Sequence, residues 1–106
     1  MGILNMLRGM DINAGVNRYL ETKDAVLIDV RERSEYNDGH IPGSRNLPLA
    51  EINQIHKLVP EKSRAIFIYC LSGRRSGNAV SALKAKGYTS VSNIGGINKY
   101  EGPLEK

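Results

Sequence analysis

The sequence predicts an α/β fold: one domain with a mainly parallel central sheet flanked by helices on both faces. Three observations carry this. Short apolar runs at residues 25–30, 65–70 and 91–94 read as strands. The first two are continuous rather than alternating, as parallel strands covered on both faces are. Segments of helical period lie between them, and strands alternating with helices mean a parallel sheet.

The elements follow in order. Ile12, Val16 and Leu20 recur every four residues with Tyr19 beside them, the apolar stripe of a first helix. Residues 25–30 form the first strand, and a short helix after it sets Arg31 and Glu35 four apart as a surface pair. A shorter strand sits at 44–47. Leu49, Ile52, Ile55 and Val59 mark a second helix, stopped by Pro60. After the strand at 65–70, Ala79, Val80, Ala82 and Leu83 mark a third helix, closed by Gly87 as its C-terminal cap. The last strand, 91–94, leads into Gly95-Gly96, read as a tight turn against the loop that follows residue 70. The whole chain, 1–106, is one domain with its core at about 10–102. The stretch from Ile3 to Met10 has no place in that core and is free to dock on a partner or a second copy.

Composition narrows the function. The 106 residues are 41% hydrophobic and 25% charged, which excludes collagen-like, disordered and coiled-coil classes. With no Trp and one Phe, aliphatic residues build the core. The apolar runs are too short to span a bilayer. Cys70 is the sole cysteine, so an intramolecular disulfide is excluded and a reducing compartment is expected. The apolar stretch Ile3–Leu7 is broken by Asn5 and lacks a charged n-region, and Met6 fails the myristoylation pattern, so a cytoplasmic location is expected. A net charge of +4 without blocks of like charge points to a small anion rather than nucleic acid. No grouping of His, Cys and carboxylate residues has metal-ligand spacing, so neither a metal nor a cofactor is expected.

Ligands of open parallel sheets bind beyond the carboxyl ends of the strands. Two strands end in reactive residues there: Asp29-Val-Arg31 and Tyr69-Cys70. Cys70 opens the segment Leu71, Ser72, Gly73, Arg74, Arg75, Ser76, which turns directly into a helix. Gly73 permits a tight turn. Backbone amides from Leu71 to Ser76 then form a nest for an anion, and the helix dipole and two arginines add positive potential. All three lower the pKa of Cys70 from the ~8.5 of a free thiol. A lone cysteine after an apolar strand is ordinarily a small buried hydrophobe. Core packing, however, has no need of Ser-Gly-Arg-Arg-Ser after it, so Cys70 reads as a nucleophile that works without a histidine base.

At these residues the chain resembles the single-domain rhodaneses, sulfurtransferases that use thiosulfate or persulfides. Cys70, Gly73, Arg75 and Ser76 match the family's Cys-x-x-Gly-x-Arg-Ser loop. Asp29-Val-Arg31, Glu35-Tyr36, Gly39-His40-Ile41-Pro42-Gly43-Ser44 and Asn46 match its upstream motif, and Gly95-Gly96-Ile97 its C-terminal one. The resemblance covers about residues 10–102. Tyr100 stands where the family carries Trp, which keeps an aromatic plate.

The resemblance implies that the Cys70 thiolate takes the outer sulfur of thiosulfate or a persulfide. The resulting Cys70 persulfide then passes it to cyanide, a thiol or a sulfur-relay protein. It implies that Arg75, and less directly Arg74, bind the donor's anionic group while loop amides cradle the sulfur. Asp29 and Arg31 read as structural support at the neighbouring strand end. His40 reads as a turn residue that fixes backbone groups rather than as a catalytic base, and His56 as solvent-exposed. Two rivals stand beside this reading. Phosphatases and arsenate reductases of related fold place five residues between Cys and Arg, where this chain has four, Leu71 to Arg74, before Arg75. A non-catalytic binding module of the same fold is the other.

Overall fold

The structure is a computed structural model that describes residues 10–106. Four parallel strands form one sheet: β1 (Val26–Asp29), β2 (Arg45–Asn46), β3 (Ile66–Cys70) and β4 (Val91–Gly96), in the order β2-β1-β3-β4. The α/β class and parallel sheet expected from the sequence are what is found. The stretch before Met10 lies outside the described residues.

The continuous apolar runs are explained by two cores, one on each face. Val26, Ile28, Val30, Ile66, Ile68 and Cys70 point to one side, and Leu27, Phe67 and Tyr69 to the other. Strand geometry sends alternate residues to opposite faces, and both faces here are covered. Helix α1 (Ile12–Glu21) packs Ile12 and Val16 on the second face. Asp11 caps it by accepting the Asn13 N–H at 2.9 Å. Leu20 corrects the expected stripe, being 71% exposed, while Tyr19 meets Phe67 edge-on at 6.3 Å between ring centres. At about 100° per residue, position 19 falls back over position 12, whereas position 20 lies about 80° away.

Short helix α2 (Arg33–Asp38) follows β1 and carries a capping box between Glu32 and Glu35. Leu49 to Val59 does not form one α-helix. A 3₁₀ helix, Leu49–Gln54, runs into a single α turn, α3 (Ile55–Leu58). The spacing of Leu49, Ile52 and Ile55 is three, the period at which 3₁₀ side chains align, and Ile52 and Ile55 are buried. Helix α4 (Arg74–Ala85) starts immediately after the Cys70 loop and packs Ala79 and Leu83 on the first face. Gly87 terminates it with φ of +96°, donating to the Lys84 carbonyl. No described helix is long and apolar enough to cross a membrane.

Candidate active site

Cys70 ends β3 and its side chain is buried, at 1% exposure. The chain turns at Gly73, whose φ of +99° is left-handed, and α4 begins at the next residue. This tight return points donors back at the sulfur. Cys70 Sγ accepts the Gly73 N–H at 3.0 Å, the Ser76 N–H at 3.4 Å and the Ser76 hydroxyl at 3.4 Å. Burial pushes the Cys70 thiol up. The hydrogen bonds from the Ser76 hydroxyl and from the amides of Ser76, Gly73 and Ser72 more than offset it, and the net shift is downward. The nest expected from the sequence is therefore built chiefly from these groups. Leu71 uses its carbonyl instead, accepting the Asn98 N–H at 3.1 Å, and its side chain is exposed.

The arginines are placed differently from one another. Arg74 is exposed. Arg75 makes a two-pronged contact with Glu35 of α2, Nη1 to Oε1 at 2.8 Å and Nη2 to Oε2 at 3.0 Å. The Arg75 guanidinium holds the Glu35 carboxyl down at about 2. This corrects the expected Arg31–Glu35 pair. Arg31 lies in the turn two residues past β1, before α2 begins, and is buried against Asp29 instead. Asp29 is fully buried and accepts the Arg31 N–H at 2.8 Å and its Nη2 at 2.7 Å. Arg31 Nη2 also donates to the Gly39 carbonyl at 2.8 Å. Asn46 Nδ2 closes the corner on the carbonyls of Asp29 and Arg31, at 3.0 and 2.9 Å. These bonds brace the turn beside the loop.

His40 stacks on Tyr36 at 3.8 Å between ring centres, and its Nδ1 lies 2.9 Å from the Tyr36 carbonyl. Its backbone forms a bridge with Glu105. His56 is exposed. A cavity of about 300 Å³ opens beside the loop, lined by Ile12, Ser72, Gly95, Gly96, Asn98 and Lys99 together with Met10. A larger one, about 510 Å³, is lined by residues such as Asp24 and Ala65, at the opposite ends of the strands from Cys70.

A buried cysteine in a ring of amides at a strand end, opening a helix, is the arrangement the sequence resemblance implied, and comparison with known proteins supports the family. Residues 14–102 match the model of the Rhodanese-like domain. The chain belongs to the rhodanese-like family. It is 40% identical over 80 residues to Thiosulfate sulfurtransferase PspE of Escherichia coli (strain K12), covering 74% of this chain and 77% of that one. It is 36% identical over 81 residues to the Thiosulfate:glutathione sulfurtransferase of Saccharomyces cerevisiae (strain ATCC 204508 / S288c), covering 65% of this chain and 58% of that one. A solved structure titled "rhodanese with anions from E. coli" superposes with a TM-score of 0.73 at 38% identity, over 77% of this chain and 98% of that one.

In this rhodanese-like domain, three placements differ from the sequence reading or escape it. Gly95-Gly96 is not a turn: both residues lie in β4, paired with Tyr69 and Cys70 after a register shift that leaves Ile94 unpaired. The close approach to the loop does hold. A Cβ on Gly96 would collide with the Leu71 carbonyl oxygen. Glu35, the partner of Arg75, is 40 residues away in sequence. Asn93 was not read from the sequence at all. Its Oδ1 accepts the Ser76 hydroxyl at 2.7 Å and the Gly95 N–H at 3.1 Å, and its Nδ2 donates to the Gly73 carbonyl at 2.9 Å. A polar residue two positions before the Gly-Gly pair was the signal available. Tyr100 packs half-buried against the α1 face of the sheet.

Proposed function

We propose that the domain is a sulfurtransferase that moves sulfane sulfur from thiosulfate or a persulfide to a thiol or cyanide through a Cys70 persulfide. The observation that carries this reading is the Cys70 sulfur itself, which receives the Gly73 amide and the Ser76 amide and hydroxyl with no imidazole beside it. Such a cradle stabilises a thiolate without a base. The relatives named for thiosulfate, and for thiosulfate with glutathione, support the same donor and acceptor classes.

In the first step the Cys70 thiolate attacks the outer sulfur of thiosulfate. The sulfur–sulfur bond of the donor breaks and its electron pair leaves with sulfite. The negative charge then rests on the outer sulfur of the Cys70 persulfide. In the second step cyanide or a thiolate attacks that outer sulfur, the persulfide bond breaks, and the Cys70 thiolate returns. No proton has to be removed by an enzyme base in either step. Amides of Ser72, Gly73 and Ser76 line the position where the charge sits, and Arg75 with Arg74 meets the donor's anionic end. Asp29, Arg31 and His40 act as supports. The reading includes a cytoplasmic setting, because the reaction needs Cys70 as a free thiol.

Incubation with thiosulfate and no acceptor tests this. Intact mass spectrometry is expected to show one added sulfur atom, removed by cyanide or a thiol and absent in Cys70→Ser. An active preparation without the adduct, or hydrolysis of an aryl phosphate in place of sulfur transfer, would overturn the reading.

A further inference from the structure

The Ser76 hydroxyl has one proton and two acceptors. Its Oγ lies 2.7 Å from Asn93 Oδ1 and 3.4 Å from Cys70 Sγ. Ser76 is fully buried, so the hydroxyl chooses between these protein groups. The Asn93 amide cannot swap its ends. Its oxygen faces the Gly95 N–H, which only donates, and its nitrogen faces the Gly73 carbonyl, which only accepts.

We propose that Asn93 is a positioning residue that holds the Ser76 proton away from Cys70 while the sulfur is a neutral thiol and releases it when the sulfur is charged. A thiol sulfur is a weak acceptor and loses to an amide oxygen. A thiolate is a charged acceptor, whose hydrogen bonds are roughly twice as strong as neutral ones, and it wins the proton back. The hydroxyl therefore turns about its Cβ–Oγ bond as charge appears on the sulfur. Its place in a cycle rests on the sulfur-transfer reading: on loading, the charge moves to the outer sulfur and the hydroxyl returns to Asn93. Each ionisation of Cys70 thus breaks the Ser76–Asn93 bond, so Asn93 restrains the thiolate.

Other charged groups around Cys70 stay in place when residue 93 is changed. Helix α4 brings the exposed Arg74 and also Arg75, the latter held by Glu35 of α2. The end of β1 brings Asp29, paired with Arg31. Residues 71–73 and β4 carry no titratable side chain. The Gly73 carbonyl also keeps the Gly77 N–H, at 3.1 Å, without Asn93.

The test is the pH dependence of Cys70 alkylation by iodoacetamide on the full chain, with thermal midpoints recorded to show folding. Asn93→Ala is expected to accelerate alkylation about three- to tenfold below the wild-type midpoint, the scale of one neutral hydrogen bond. Ser76→Ala is expected to slow it, and in that background Asn93→Ala is expected to change nothing. Asn93→Asp binds the hydroxyl more tightly and also adds a negative charge, so it is expected to slow alkylation more with the Ser76 hydroxyl present than in Ser76→Ala, which keeps the test open if the alanine variant does not fold. Unchanged or slower alkylation in folded Asn93→Ala overturns the proposal. So does an equal acceleration without the Ser76 hydroxyl, or an equal slowing by Asn93→Asp with and without it. Alkylation does not depend on turnover, so a domain showing the expected pattern but taking no sulfur from thiosulfate would refute the sulfur-transfer reading alone.

Discussion

Gly96→Ala is expected to damage the site through the backbone. Gly96 pairs with Cys70 across the sheet, and the Cys70 loop passes directly over it. A Cβ there would stand 2.5 Å from Ser72 Cα and 2.7 Å from Asn98 Oδ1, and would overlap the Leu71 carbonyl oxygen. Non-bonded carbons rest at ~3.5–4.0 Å, so the Ser72 backbone must retreat by about 1 Å. Leu71 and Ser72 are backbone neighbours that no rotamer change can move aside. Overpacking of this kind costs about 1–3 kcal/mol. The same retreat draws the Gly73 N–H from its 3.0 Å contact with the sulfur. Loss of one preorganised donor lowers turnover by about 10²–10³. Urea unfolding measures the first effect and sulfur transfer from thiosulfate to cyanide the second. Gly77→Ala is the control: its Cβ meets only Asn93 Nδ2, at 3.5 Å, inside α4. That change is expected to raise stability by about 0.5–1 kcal/mol. A Gly96→Ala protein with wild-type stability and turnover would refute the reasoning.

Other expectations concern the charged pairs and the loop. Arg31→Ala strips the fully buried Asp29 of its partner and is expected to cost about 3–5 kcal/mol in urea unfolding. Arg75→Ala, at a side chain 34% exposed, is expected to lower thiosulfate turnover more than stability; the reverse pattern in steady-state assays would exchange the two roles. Glu35 is held at about 2 in the folded protein, below the ~4.3 of an unfolded glutamate. Its pairing therefore stabilises the fold above pH ~4.3 and is lost as pH falls through about 2, so Glu35→Gln is expected to flatten the acid side of a stability–pH curve measured by thermal unfolding. An extra small residue between Gly73 and Arg74 lengthens the loop and carries the Ser76 donors away from the sulfur. Sulfur transfer is expected to fall steeply, and full activity in a folded insertion variant would remove ring size as the discriminator against phosphate chemistry.

The legible parts of this protein were those written locally. The Cys70 loop is contiguous, so strand end, glycine turn and helix start could be read from seven successive residues. Both core strands announced two-sided burial through the unbroken apolar runs Ala25–Ile28 and Ala65–Ile68. The parts that failed depend on contacts distant in sequence. Arg31 and Glu35 have the spacing of a helical pair, but Arg31 sits in the turn after β1 and α2 opens only at Arg33. Glu35 is consequently free to reach Arg75. Gly95-Gly96 resembles a turn in any local window. Only the neighbouring loop, pressed against β4, shows why the pair must lack side chains while staying in the strand. Asn93 acts on Gly73 and Ser76, 20 and 17 residues away, which no periodicity encodes.

The charge arrangement changes what the loop arginines can be asked to do. Counted as formal charges, Cys70 thiolate with Arg74, Arg75 with Glu35, and Arg31 with Asp29 cancel in pairs. On the proposed sulfur-transfer reading, a dianionic donor would therefore meet a site with little net charge of its own, apart from the chain's overall +4. Local attraction must come from dipoles: the amides of the loop and the start of α4, which point at the sulfur whichever charge state it holds. Fixed dipoles suit the proposed cycle, in which the negative charge moves by one sulfur atom and then returns. A free guanidinium tight against the sulfur would favour the resting thiolate more strongly and slow its attack. The Glu35 contact blunts that effect at Arg75, and the downward shift of Cys70 traces to hydrogen bonds from Ser76, Gly73 and Ser72 that oppose the burial. Cys70, the proposed nucleophile, is thus kept available by short-range donors, and its reactivity is left to the residues that aim them.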